Sequence, residues 1–132
     1  MKKKLSKLAK DKANPASRYW RNKADAAWRT RVLALDRGVC AICGSDRLVN
    51  IHHLFDRSRK DTRHLVGNGI SLCPKHHKYD RECSAHRGPV GFFVWMMRER
   101  PGMWSWLKTW LIVPVGCDPD YKARYVELSN AT

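Results

Sequence analysis

The sequence predicts a small α+β domain, a two-stranded core stapled by metal and flanked by helices at both ends. Three observations predict it. Two ligand pairs, Cys40-x-x-Cys43 and Cys73-x-x-His76, stand 29 residues apart. That spacing and those donors suit tetrahedral zinc with four protein ligands. The residues between the pairs read as strand, charged loop and strand. On either side, apolar residues recur at helical spacing.

In chain order, residues 1–17 form a Lys-rich arm ending at Asn14-Pro15-Ala16-Ser17, a loop or helix-start signal, and the arm is expected to be disordered by itself. From Tyr19 to Asp36 the apolar positions Trp20, Ala24, Ala27, Trp28, Val32 and Leu35 fall on one helical face, with Arg21, Lys23, Arg29 and Arg31 on the other. Gly38 supplies the stop. Leu48 to Phe55 reads as a strand with Ile51, Leu54 and Phe55 among its packing residues, and Gly69 to Leu72 as a second one after the charged loop Asp56 to Gly67. Pro74 suits a first helical turn, so a helix is expected from about Lys75 toward Cys83. Gly88-Pro89-Val90-Gly91 breaks the chain. Helices are expected over Phe92–Arg100 and Trp104–Leu111, and an extended tail over Tyr121–Leu128. Trp95, Trp104, Trp106 and Trp110 sit among Met96, Met97 and Leu107, which favours packing over base stacking. The expected organisation is an arm (1–17), a core with its preceding helix (18–87) and an aromatic helical extension packed on that core (88–132).

Composition narrows the partners. The chain has 132 residues, 26 Lys and Arg against 12 acids, and a net charge of +14. The excess is uneven: residues 1–12 carry six Lys against one Asp, 18–37 carry six basic groups against two Asp, and Arg57 to His64 carries four against one. A polyanion fits this asymmetry, and nucleic acid is the best candidate. No apolar run of signal-peptide length follows the N-terminal lysines, and the longest apolar stretch, Val90 to Met97, is too short to span a bilayer. With five cysteines, two pairs of them at ligand spacing, metal binding is expected rather than a disulfide framework, in a reducing, cytoplasmic setting. Cys83 is an alternative ligand seven residues beyond His76, and Cys117 reads as a packed thiol.

His52, His53, Asn68 and His77 remain, the types that bind a divalent cation and activate water. Across about 38 residues, Cys40-x-x-Cys43, His52-His53, Asn68 and Cys73-x-x-His76-His77 match in type and order the HNH (ββα-metal) endonuclease family, which this chain resembles. The resemblance implies a zinc-stapled ββα-metal core and metal-dependent hydrolysis of DNA phosphodiester bonds to a 5′ phosphate and a 3′ hydroxyl. Family relatives usually have Cys at the position of His76, an exchange zinc accepts. Carried onto this chain, His53 is the general base, His52 and His77 hold the catalytic cation, and Asn68 pins the loop that orients the base. That cation is expected to be Mg²⁺ or Mn²⁺, with Ni²⁺ or Zn²⁺ also compatible with histidine donors. The family's small phage-type members often end in a similar aromatic helical tail.

Arg57 is expected to contact the scissile phosphate and stabilise its developing charge. Lys2, Lys3, Lys4, Arg21, Arg29, Arg59, Lys60 and Arg63 are expected to bind DNA, with no membrane partner and an oligomeric state the sequence leaves open. His64 and His86, outside the motif, read as ordinary surface or core residues. Two other readings stay open here: one larger structural zinc site that includes His52 and His53, and a non-catalytic zinc module that binds nucleic acid.

Overall fold

The computed structural model describes residues 3–116 and 119–131, so Lys2 and Cys117 lie outside the described residues. The fold is α+β, with five α-helices among the described residues and one two-stranded antiparallel sheet. The helices are α1 (Lys7–Ala13), α2 (Arg18–Leu35), α3 (Pro89–Glu99), α4 (Pro101–Leu111) and α5 (Tyr121–Asn130). The strands are β1 (Asn50–His53) and β2 (Gly69–Leu72), in a register that pairs His52 with Ile70 and His53 with Gly69. No helix among the described residues is long and apolar enough to cross a membrane.

The sheet separates two apolar clusters. On one side Trp28 and Val32 of α2 meet Leu128 of α5, with Ile51 and Val66 at the margin. On the other, Ile70, Leu72, Cys40 and Cys73 pack against Phe92 and Met96 of α3, with Trp95 and Trp104 partly buried beside them. Of the apolar face expected of α2, Ala24, Trp28 and Val32 are buried and Trp20 and Ala27 half-buried, whereas Leu35 is exposed. The buried Asp36 carboxylate joins the two sides. It accepts the Ser71 amide at 2.8 Å and an Arg100 guanidinium nitrogen at 3.1 Å, tying the end of α2 to β2 and to the end of α3.

Four expectations are corrected. The arm is not structureless: Ser6 caps α1, Ser17 Oγ donates to the Asp11 carbonyl, and Trp20 Nε1 donates to the Lys12 carbonyl, which folds α1 back onto α2. The tail is helical rather than extended. Asp120 caps α5 through the Ala123 amide, Tyr121 and Leu128 are its buried residues, and packing against α2 overrides the strand-like run Tyr125-Val126. The helix expected from Lys75 toward Cys83 is a single wide turn, Lys75–Tyr79, closed by the Asp80 amide on the Lys75 carbonyl. Asp80 ends it because its carboxylate turns to accept the Glu82 and Cys83 amides, a local bond that competes with helix. Finally, β1 covers only the central four residues of Leu48–Phe55, with Leu48 exposed and at a positive φ of 48°.

The extension after residue 88 closes over the charged loop. The Arg59 guanidinium sits between the Phe55 and Trp110 rings, 4.7 and 5.8 Å from their centroids, and donates to the Trp110 and Val113 carbonyls as well as to Asp61. Gly91 lets α3 start hard against the 80–88 loop, because a Cβ there would run into the Glu82 carbonyl.

Candidate metal centres and the cleft beside them

The chain doubles back so that its two ligand pairs converge. The Cys40 amide donates to the Ser45 carbonyl and the Gly44 amide to the Cys40 carbonyl, forming a tight knuckle, with Gly44 at a φ of 73° that favours glycine. The Ala41 amide pairs with the Ser71 carbonyl, which sets that knuckle against β2 and the Cys73 turn. The four donor atoms of Cys40, Cys43, Cys73 and His76 all lie within 4.8 Å of one another. The Cys43 and Cys73 sulfurs are 3.7 Å apart, and His76 Nδ1 is 3.7 Å from Cys40 Sγ and 3.4 Å from Cys73 Sγ. Metal–sulfur and metal–nitrogen bonds of about 2.3 and 2.0 Å in a tetrahedron place S–S and S–N edges at about 3.8 and 3.5 Å. The group therefore fits a metal such as zinc. Burial alone would raise the Cys40 thiol, but the amides of Cys73, Cys43 and Ile42 point at its sulfur and hold it below its ordinary value. Burial and the neighbouring Cys73 and Cys40 sulfurs push the Cys43 thiol up. Cys83 stays half-buried and outside this group.

A second cluster forms on the other side of the turn. His76 reaches the cysteines, while the next residue, His77, reaches His52 and His86. One nitrogen from each of these three rings lies within 4.8 Å of the others, with His77 Nε2 and His86 Nε2 at 3.2 Å. Metal–nitrogen bonds of about 2.1 Å put neighbouring donors about 3.0–3.4 Å apart, so the trio fits a divalent cation. Burial, then the other histidine rings, push His52 down to about 3, so it stands neutral, as a metal ligand must be. Burial and the adjacent His86 also lower His77.

His86 is the correction here: it is a member of the cluster, not an ordinary surface residue. The 80–88 loop delivers it, since the Ala85 and His86 amides donate to the His76 and His77 carbonyls and Ser84 Oγ accepts the Arg87 and Gly88 amides. A helix over 75–83 would have carried His86 elsewhere. The Asp80 and Ser84 turn chemistry was the signal available in the sequence.

His52 and His53 point to opposite faces of β1, as neighbouring strand residues do. His52 faces His77, His86 and Phe92, whereas the His53 ring stacks on Trp28 with centroids 3.9 Å apart. Because β1 ends at His53, both still line one cleft of about 370 Å³, together with Arg29, Asp56, Arg57, His77, Lys78 and His86. His53 Nε2 lies 3.0 Å from the Arg63 carbonyl. A carbonyl only accepts, so that nitrogen carries the proton and Nδ1 keeps its lone pair. Burial dominates the His53 environment and lowers it to about 4, against the partial restoring effect of the Arg63 carbonyl. Asn68 is fully buried and grips Phe55 at both polar groups, accepting its amide at 2.6 Å and donating to its carbonyl at 3.1 Å. It therefore fixes the exit of β1 directly after His53.

The basic residues divide. Arg29 and Arg57 are exposed at the cleft, and Lys78, which sequence reasoning missed, joins them there. Lys3, Lys4 and Lys60 are exposed elsewhere, and Arg21 is half-buried with its Nε enclosed. The guanidinium groups of Arg59 and Arg63 are taken up internally, Arg59 by Asp61 and α4, Arg63 by Asp25 at 2.8–2.9 Å. Comparison of the chain with protein-family models, curated proteins and solved structures finds no match.

Proposed function

We propose that this protein is a metal-dependent nuclease of the HNH type that hydrolyses DNA phosphodiester bonds, with zinc held by Cys40, Cys43, Cys73 and His76 as its structural staple. The observation that carries the reading is one cleft lined by His53, whose Nε2 meets the Arg63 carbonyl, and by the His52, His77 and His86 trio. A structural zinc site needs neither that neutral imidazole nor a second donor cluster opening onto solvent.

In this reading His53 accepts a proton at Nδ1 from the attacking water, while the Arg63 carbonyl keeps the ring in the Nε2–H form. The Trp28 ring holds the imidazole plane, and Asn68 holds the backbone that carries it. Arg57 and Arg29 neutralise phosphate charge at the cleft mouth. A divalent cation, when bound to His52, His77 and His86, supplies electrostatic stabilisation of the leaving oxygen. Three imidazole donors suit Mn²⁺, Ni²⁺ or Zn²⁺ better than Mg²⁺. The +14 net charge supports a polyanionic substrate.

Supercoiled plasmid incubated with each divalent cation and with EDTA tests the reading. Metal-dependent nicking or linearisation is expected, falling about 10²–10⁴-fold in His53→Ala while DNA binding persists. Plasmid left intact under every cation, with salt-sensitive binding retained, would replace the enzyme with a zinc-containing nucleic-acid-binding module.

A further inference from the structure

Asp25, on α2, lies outside the histidine- and cysteine-bearing stretch, yet it grips two consecutive residues of the loop facing His53. Its carboxylate accepts Arg63 Nε at 2.9 Å and Nη2 at 2.8 Å, a two-pronged pair, and accepts His64 Nε2 at 2.6 Å. His64 is buried, 3% exposed, with the Tyr121 ring of α5 edge-on to it at 5.5 Å. The peptide unit between Arg63 and His64 is planar and carries the Arg63 carbonyl. With the side chains on both sides of that unit held by one carboxylate, the direction of the carbonyl is fixed. That carbonyl is the partner of His53 Nε2. One helical turn along α2, Trp28 stacks on the His53 ring and donates from Nε1 to the Leu65 carbonyl at 2.9 Å. A single face of α2 thus holds both the ring plane and the backbone acceptor.

We infer that Asp25 is a positioning residue that acts through the Arg63–His64 peptide to keep the His53 imidazole in the Nε2–H form with Nδ1 turned to the cleft. The inference rests on the role given to His53 above, but its geometric content stands apart from catalysis. Such indirect partners orient reactive imidazoles, and their loss typically costs about 10–100-fold in activity. An isolated surface ion pair would have no reason to engage both neighbours of the one carbonyl that His53 meets.

The test uses the full zinc-loaded chain labelled with ¹⁵N. Long-range ¹H–¹⁵N spectra of the histidine rings report which nitrogen of His53 bears the proton. Wild type is expected to show one tautomer, protonated at Nε2. Asp25→Asn is expected to give a tautomer mixture at His53, with nicking kcat reduced about 10–100-fold and KM for DNA little changed. Arg63→Lys keeps the charge and the carbonyl but loses the fork, and is expected to lie between the two. It also decides the question if Asp25→Asn does not fold. An unchanged Nε2–H tautomer in the folded variant, or a kcat that does not fall with it, overturns the positioning role. If wild type and His53→Ala cleave no DNA at all, the nuclease reading fails, while the ring spectra still decide whether Asp25 governs His53.

Discussion

The two donor clusters are built from the same stretch of chain, and adjacent residues, His76 and His77, feed one each. They differ in closure. The cysteine cluster has Cys40, Cys73 and His76 buried, with backbone amides aimed at the Cys40 sulfur. The histidine cluster sits at the wall of a 370 Å³ cleft with Arg29, Arg57 and Lys78 around it. A four-donor closed site leaves no position for a substrate, whereas a three-donor open one does, which is the usual division between structural and catalytic metal sites. Here a single wide turn sends neighbouring imidazoles to the two clusters.

The largest expected effect separates the clusters by stability. Metal ligation in small domains contributes folding free energy outright. Chelation or Cys73→Ala should therefore lower Tm by about 20 °C or more, read by circular dichroism on heating. His77→Ala and His86→Ala should shift it by only a few degrees, and a comparable collapse in them would erase the distinction. The second effect concerns the open site. Losing an indirect partner of a metal ligand already costs about 10–100-fold in affinity, so removing His86 itself should weaken cation binding by at least about 100-fold in a competition titration. An unchanged affinity would return His86 to the surface.

Asn68→Ala should cost about 2–4 kcal/mol in urea unfolding, since both polar groups of Phe55 lose a buried partner. A loss below 1 kcal/mol would mean that water replaces the amide. The two loop arginines should then part company. Arg57→Gln should reduce the slope of log Kobs against log salt by about 0.9 with stability unchanged. Arg59→Met should leave the slope alone and destabilise by about 1–2 kcal/mol through its lost ties to Trp110 and Val113.

The smallest effect is the acid limb of the Asp25 contacts. Burial tends to raise this carboxyl, but the hydrogen bonds from His64 and Arg63 outweigh it and hold Asp25 well below the usual carboxylate range. As pH falls the unfolded chain takes up the proton first, near its ordinary value of about 3.9, so the stabilisation is complete above that pH and declines below it. The urea midpoints of wild type and Asp25→Asn should differ by a constant amount down to about pH 4 and converge beneath it. Convergence near neutrality would remove Asp25 as the source of the pH dependence.

Residue type and spacing alone determined the α+β class, the path of α2 and both strands, and the four donors of the closed cluster. Those features are local: helical periodicity, strand-like composition and paired ligands are each written within a few residues. Asn68 stood out only through its place in the HNH-like order of residues. What the tertiary structure decided was every contact that depends on distant chain meeting. Packing on α2 made helix of the tail, because a buried face outweighs weak intrinsic preference. By contrast, α1 buries nothing and is tied to α2 by the Ser17 and Trp20 side-chain hydrogen bonds. The Asp80 and Ser84 turn carried His86 to His77 across a loop whose path depends on bonds to the turn beneath it. Arg57, Arg59 and Arg63 were all expected to meet DNA, and the fold separated Arg57, exposed at the cleft, from Arg59 and Arg63, drawn inward by Asp61, α4 and Asp25. Charge can be read from sequence, but whether a charge faces a ligand or a partner depends on which surfaces folding brings together.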